Sequence, residues 1–249
     1  MDLDNLSLIH TIDSLNMLGE IDSLPSQLEK AWQVGQSLPL PAMEGIRQVL
    51  LSGMGGSAIG ADLLSAYIAS SCPIPVFVHR DYGLPAWAKG GQTLVVASSH
   101  SGETEETLDS FDSALQAGCQ VIAICTGGTL EQRALAAGVP VWKFNHAGQP
   151  RAAVGWSFGL LLSLFARLGF IADPSGEMAA AVAGMHHQQE SLLVSIPAAE
   201  NPAKRLAGQL VDRWVNVYGS GMLAPVARRW KDQVNEIAKA GAGFEFLPE

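Results

Sequence analysis

The chain has 249 residues, 48% of them apolar and 16% charged, with a formal net charge of -9. That balance excludes a disordered chain and supports one large domain or two modest ones with buried strands. The acidic surplus, with no cluster of Lys and Arg, excludes broad attraction to nucleic acid or anionic membranes, so any anionic ligand must be held by a local site.

The N-terminus, MDLDNLSLIHTIDSL, carries acidic residues where a secretory leader needs positive charge, and no long apolar run follows, so secretion is not expected. Leu15, Leu18, Ile21, Leu24 and Leu28 recur at helical spacing between Ile12 and Trp32, and Pro25 interrupts them, which predicts two short helices. After the loop from Pro39 to Pro41, short Val- and Ile-rich runs at 49–51, 74–78, 93–97, 121–125 and 139–144 predict strands buried on both faces. Helical patterns at 57–69, 103–117 and 129–137 lie between most of them, the last two stopped by Gly118 and Gly138. This βα alternation predicts a parallel sheet with right-handed crossovers.

From Arg151 the pattern changes. The run from Ala152 to Ala172 is apolar enough to suggest a membrane, but Arg167 lies inside it and Arg151 directly precedes it, so a buried helix is expected instead. A break at Pro174-Ser175-Gly176 leads to a helix through Gln189, another from Asn201 to Val211, a strand-like WVNVYGSG at 214–221, and a helix from Met222 to Gly241. One strand and its following helix therefore open a second α/β unit that is otherwise incomplete. VLLSGMGGSAIG and VNVYGSGMLAP share one order: strand, glycine turn, helix. Cys72, Cys119 and Cys125 form no CxxC pair or zinc spacing, and read as reduced core residues of a cytoplasmic protein.

Two strand-to-helix turns carry the chemistry. Gly53-Met54-Gly55-Gly56-Ser57 follows the first strand, and Ser98-Ser99-His100-Ser101-Gly102-Glu103-Thr104 follows the third. Ligands of open parallel sheets bind beyond the carboxyl ends of the strands, where such turns lie. Glycines let backbone approach an anion, a helix N-terminus aims free N–H groups at it, and hydroxyls donate further hydrogen bonds, so Gly56, Ser57, Ser99, Ser101 and Thr104 are candidate phosphate ligands. The plainer alternative makes Ser101 or Thr104 a helix cap, with Glu106 echoing a capping box. A nucleotide fits less well: residues 53–58 match GxGxxA, but no P-loop Lys follows, and His79-Arg80-Asp81 stands where a ribose-binding acid is needed. His100 reads as a loop-filling side chain, and His146, His186 and His187 lack partners at metal-ligand spacing.

GMGGSAIGAD, SSHSGETEET, RAAVGWSFG, the N-terminal NMLGEIDSLPSQLEKAW and the late WKDQVNEIAKA together resemble the sugar isomerase (SIS) domain family, in its bifunctional phosphoglucose/phosphomannose isomerase branch. The resemblance implies an α/β fold: a SIS-type parallel sheet flanked by helices, an αβα sandwich, followed by an incomplete second SIS-type unit. The expected division is an N-terminal helical segment at 1–35, a first SIS domain at 36–172 and the incomplete second one at 173–249. It implies that Gly56, Ser57, Ser99, Ser101 and Thr104 hold the substrate's phosphate, that Arg151 lies by the reacting sugar carbons, and that Glu236 is the base. Moving a proton between C1 and C2 through an enediolate needs a carboxylate base and a fixed cation beside the developing oxyanion. Without the resemblance, Arg151 reads as flanking an apolar helix and Glu236 as a solvated surface charge.

The expected function is interconversion of glucose 6-phosphate or mannose 6-phosphate with fructose 6-phosphate, without cofactor or metal, in a homodimer. The resemblance also implies a later Asn-His motif, whose His opens the sugar ring, and a C-terminal Lys. The chain ends at GFEFLPE before either, which reads as a fragment or truncation of such an enzyme. The alternative is a phosphosugar-binding SIS module, or a truncated isomerase without turnover.

Overall fold

The computed structural model describes residues 2–248. Three helices open the chain: α1 (Leu6–Ile12), α2 (Met17–Asp22) and α3 (Leu24–Ser37). Asn5 caps α1 by accepting a hydrogen bond from the Leu8 N–H. The two helices expected between Ile12 and Trp32 are α2 and α3, which part at Ser23; α3 runs on to Ser37, and the break falls two residues before Pro25, which stands in the first turn of α3. Proline is tolerated there since its missing N–H would have had no helical partner.

A regular alternation follows: β1 (Gln48–Ser52), α4 (Gly55–Ile68), β2 (Val76–His79), β3 (Thr93–Ser99), α5 (Glu105–Gln116), β4 (Gln120–Cys125), α6 (Gly128–Ala136) and β5 (Val141–Lys143). The five strands form one sheet in the order β2-β1-β3-β4-β5, and every pairing is parallel. Strand side chains alternate between two buried layers, as the two-residue period requires. Val49, Leu51, Leu94, Val96, Ile122 and Ile124 face one helical layer, while Leu50, Val95, Ala97, Val121 and Ala123 face the other.

The second layer is made by α5 and α6, through Leu108, Phe111, Leu130 and Ala134. The first contains α3, α4, α7 (Val154–Arg167) and α8 (Ser175–Gln189). The α7 run, membrane-like by composition, is buried along nearly its whole length. Arg167, at its end, donates from Nη1 to the carbonyls of Gly35 and Leu38, both at 2.6 Å, and stacks over Trp142. Among the described residues no helix is long and apolar enough to cross a membrane. The α8 helix stays with the first sheet: Met178 is buried in its core, and Tyr67 of α4 donates to Glu177.

Beyond α9 (Pro202–Leu210), β6 (Val215–Ser220), α10 (Ala224–Glu236) and β7 (Ala242–Leu247) form a small βαβ unit whose two strands pair in parallel. The single strand expected here is corrected by β7, which lies in the GFEFLPE ending. It begins with Ala-Gly, a weak strand signal, and it is supported by pairing with β6 and by Arg228 packing over Phe244 and Phe246. Asp62 of α4 joins the two units by pairing with Arg80, after β2, and with Arg228 of α10 at 3.0 Å.

Candidate functional site

Order reverses between β1 and β3: the chain leaves β1 toward β2 on one side and leaves β3 toward β4 on the other. Helices crossing to opposite faces open a crevice beyond these carboxyl ends, at the switch point of the sheet. Both glycine-and-serine turns lie there.

The first turn runs straight into α4. Its N-cap, Met54, makes no side-chain hydrogen bond, and no acidic residue stands in the first turn. The positive end of the helix dipole is therefore uncompensated by the helix itself; the Ser57 and Ala58 N–H groups donate to the Met54 carbonyl, and those of Gly55 and Gly56 have no partner among the described residues. The α5 helix differs, since Glu105 and Glu106 already occupy its first turn. Gly56 sits where a Cβ would lie 2.5 Å from the Pro150 carbonyl oxygen, so only glycine allows the 150–152 turn to close over α4. Ser157 fastens that contact by donating to the Gly56 carbonyl at 3.1 Å.

The second turn is stiff. Gly102 has φ of +72° and abuts the Gly127 carbonyl, two constraints that favour glycine. Thr126 donates from N and Oγ1 to the His100 carbonyl, Leu130 N–H donates to the Gly102 carbonyl, and Thr129 donates to the Glu103 carboxylate from both N and Oγ1. These Thr129 bonds hold the Glu103 carboxyl below its ordinary pKa. Thr104 is the N-cap residue of α5 but makes no side-chain cap bond, so the simple capping explanation fails for it. Its Oγ1 instead meets Ser99 Oγ at 2.9 Å.

Gly56, Ser57, Ser101, Thr104, Arg151 and Glu236 line one cleft of about 280 Å³, together with His100 and the residues flanking them. Ser99 lies beneath it: the residue is buried, and its Oγ accepts from the Gly102 N–H at 3.1 Å, tying the turn rather than facing the open space.

Arg151 reaches the rim from the 150–152 turn, and Glu236 reaches it as the last residue of α10. Arg151 Nη1 donates to the Glu236 backbone carbonyl at 2.9 Å, and Nε stands 3.5 Å from Glu236 Oε2. That Nε is buried and, beyond the 3.5 Å approach of Glu236 Oε2, makes no hydrogen bond. Arg229 supports the pair by donating to the Arg151 carbonyl at 2.7 Å. Burial draws the Arg229 guanidinium down from its ordinary value, against the opposing pull of Glu236 and Asp232.

The geometry therefore combines an anion cradle without a cation and, beside it, one carboxylate next to one guanidinium. Known proteins share this chain's sequence and fold. Residues 199–249 match the family model for the bacterial phospho-glucose isomerase C-terminal SIS domain. A bifunctional phosphoglucose/phosphomannose isomerase of Caldicellulosiruptor bescii is 40% identical over 235 residues, covering 94% of this chain and 69% of that protein.

The chain belongs to the bifunctional phosphoglucose/phosphomannose isomerase family.

Another family member, from Aquifex aeolicus, is 31% identical over 81% of this chain and 59% of its own length. The SIS fold itself recurs at lower identity. The C-terminal domain of glucosamine-fructose-6-phosphate aminotransferase from Francisella tularensis superposes with a TM-score of 0.66 at 16% identity, covering 92% of this chain and 69% of that one. In this phosphoglucose/phosphomannose isomerase family member, sequence reasoning missed that His100, His146 and Glu20 are joined by hydrogen bonds next to the cleft. No spacing signal could have found the trio, because 126 positions separate His146 from Glu20. Among the described residues, no group of three or more His, Cys, Asp or Glu is placed to hold a metal ion.

Proposed function

We propose that this chain interconverts glucose 6-phosphate or mannose 6-phosphate with fructose 6-phosphate through an enediolate. The observation that carries this reading is the meeting of Arg151 and Glu236 at the rim of the Ser57–Ser101–Thr104 cleft. The phosphate takes the free N–H groups of α4 and the hydroxyls of Ser57, Ser101 and Thr104, with Ser99 holding the turn from below. Fixing the phosphate places the far end of an open-chain sugar toward the rim. There the Glu236 carboxylate removes the proton from C2 of the aldose and returns it to C1 of the enediolate. Arg151 stabilises the negative charge that develops on the sugar oxygens through its fixed guanidinium.

A second reading, phosphosugar binding without turnover, is favoured by the division of labour in the site. The phosphate cradle needs only two turns of the first sheet, whereas proton transfer needs α10 as well. A coupled assay with each aldose phosphate separates the two readings. Turnover abolished by Glu236→Gln supports the isomerase, whereas fructose 6-phosphate binding by an inactive, folded wild-type chain supports the module.

A cytoplasmic homodimer completes the proposal. Its three free cysteines suit a reducing compartment, and Trp214, Tyr218, Met222 and Leu223 leave an apolar surface on the small unit that a second copy would cover. Sedimentation equilibrium giving a single protomer mass at all concentrations would refute the dimer.

A further inference from the structure

His100 lines the cleft beside Ser101 and Thr104. Its ring stands edge-on to Phe144 and to His146. His100 Nε2 is 2.9 Å from His146 Nδ1, and His146 Nε2 is 3.0 Å from Glu20 Oε2. His146 and Glu20 line a second cleft of about 360 Å³, between α2, α3 and the loop after β5. The three side chains thus form one hydrogen-bonded line from the first cleft to the second.

The donor inventory places the protons. A carboxylate can only accept, so His146 carries a proton on Nε2 toward Glu20. In its neutral form His146 accepts at Nδ1, and His100 then donates from Nε2 and leaves a bare lone pair on its own Nδ1. That Nδ1 has no hydrogen-bond partner among the described residues, and His100 is half-buried at the cleft wall. The arrangement also depends on the loop after β5. A Cβ at Gly148 would lie 1.8 Å from Glu20 Oε1, so a larger residue there would push the carboxylate away from His146.

We propose that Glu20, His146 and His100 form a proton relay that couples occupation of the phosphate cleft to the uptake of one proton, with His100 contacting the bound anion. The proposal rests on the reading of this cleft as a sugar-phosphate site. A bare nitrogen lone pair repels a phosphate dianion, whereas an N–H attracts it. One proton arrives at His100 Nδ1, and the Nε2 proton of His100 passes to His146 Nδ1. One N–H bond forms on the cleft side of His100, one breaks on its far side, and one forms on His146. The net gain is one proton, and the positive charge rests on His146 beside the Glu20 carboxylate.

The charged groups facing the relay are Glu20 and Lys30 at the second cleft and Arg151 and Glu236 at the first. Burial, followed by the repulsion a protonated His146 would exert, holds His100 below the ordinary histidine pKa, and Glu20 opposes them. The ligand-free cleft accordingly presents the neutral ring, and the incoming dianion supplies the drive to protonate it.

Calorimetric titration of the full chain with fructose 6-phosphate at neutral pH, in two buffers of different ionisation enthalpy, tests the relay. Net proton uptake is expected for the wild type, and its loss is expected in His146→Phe and Glu20→Gln, each still binding. Binding without buffer dependence overturns the relay and leaves the sugar-phosphate reading standing. No binding by natively folded wild type overturns both. Long-range imidazole ¹⁵N spectra of the ligand-free wild type give an independent readout that needs no variant. Both His100 and His146 are expected as Nε2–H tautomers, and an Nδ1–H tautomer at His100 overturns the proposal.

Discussion

Arg151 grips Glu236 at two levels, by the hydrogen bond from Nη1 to its backbone carbonyl and by the 3.5 Å approach of Nε to its carboxylate. The first contact fixes the guanidinium against the end of α10, and the second leaves the charge of each group within reach of the cleft. A lysine keeps the charge but has a single donor centre and cannot hold both positions at once. Arg151→Lys is therefore expected to lower kcat by about 10²–10³ with a smaller change in KM, the signature of lost transition-state stabilisation. Equal kcat in the two proteins would show that the guanidinium serves only to hold α10.

Glu236→Gln should separate binding from chemistry. The amide keeps the size of the side chain but cannot take a proton, so a loss of roughly 10²–10⁴ or more in turnover is expected with fructose 6-phosphate affinity retained. Retention of wild-type turnover would remove Glu236 as the base.

Ser101 and Ser99 are two positions apart in sequence but should respond differently. Ser101 lines the cleft, so Ser101→Ala removes a hydrogen bond to a charged ligand, about 1.5–3 kcal/mol, or roughly ten- to a hundredfold in Kd. Ser99 is buried, and its hydroxyl joins the Gly102 N–H to Thr104 Oγ1. Ser99→Ala should instead lower Tm, costing about 1–3 kcal/mol for the partner left unsatisfied, with a smaller effect on affinity. Isothermal titration and thermal melts on both variants check the distinction; the reverse order of effects would place Ser99 in the ligand shell.

Asp62 ties the small unit to the large one by pairing with both Arg80 and Arg228. Asp62→Asn removes the charge but keeps the shape, leaving two half-buried guanidinium groups without their carboxylate. Faster proteolysis within 211–248 is expected, with the first sheet remaining protected in hydrogen exchange. Unchanged cleavage there would mean that packing of α10 on α4 suffices.

His100 should also leave a mark on stability. Its folded-state pKa lies below the ordinary value of 6.5, chiefly through burial, so the folded chain resists its protonation. The associated stability is present above about pH 6.5 and is lost as pH falls through the folded value. Denaturant melts of His100→Gln should therefore decline less steeply than wild type over that window. Parallel curves would show that other groups dominate the acid limb.

The sequence by itself determined the alternation of strand and helix between Gln48 and Lys143, because runs buried on both faces must be continuously apolar and their glycine stops are local signals. It also marked both turns, since glycine and hydroxyl residues at a strand end carry their chemistry with them. It put the break between two helices at Pro25 where Ser23 makes it, because a proline fits the first turn of a helix, and it missed β7, a strand supported by its pairing with β6. Only the tertiary structure decided that Ser99 lies under the cleft while Ser101 faces it, because side-chain direction in a turn follows from hydrogen bonds to distant segments. Only it brought Arg151 to Glu236 across 85 positions, and Glu20 to His146 across 126. Such meetings are set by the crossing of packed elements, for which no local pattern exists; the physical cause is burial, which acts on the folded chain as a whole.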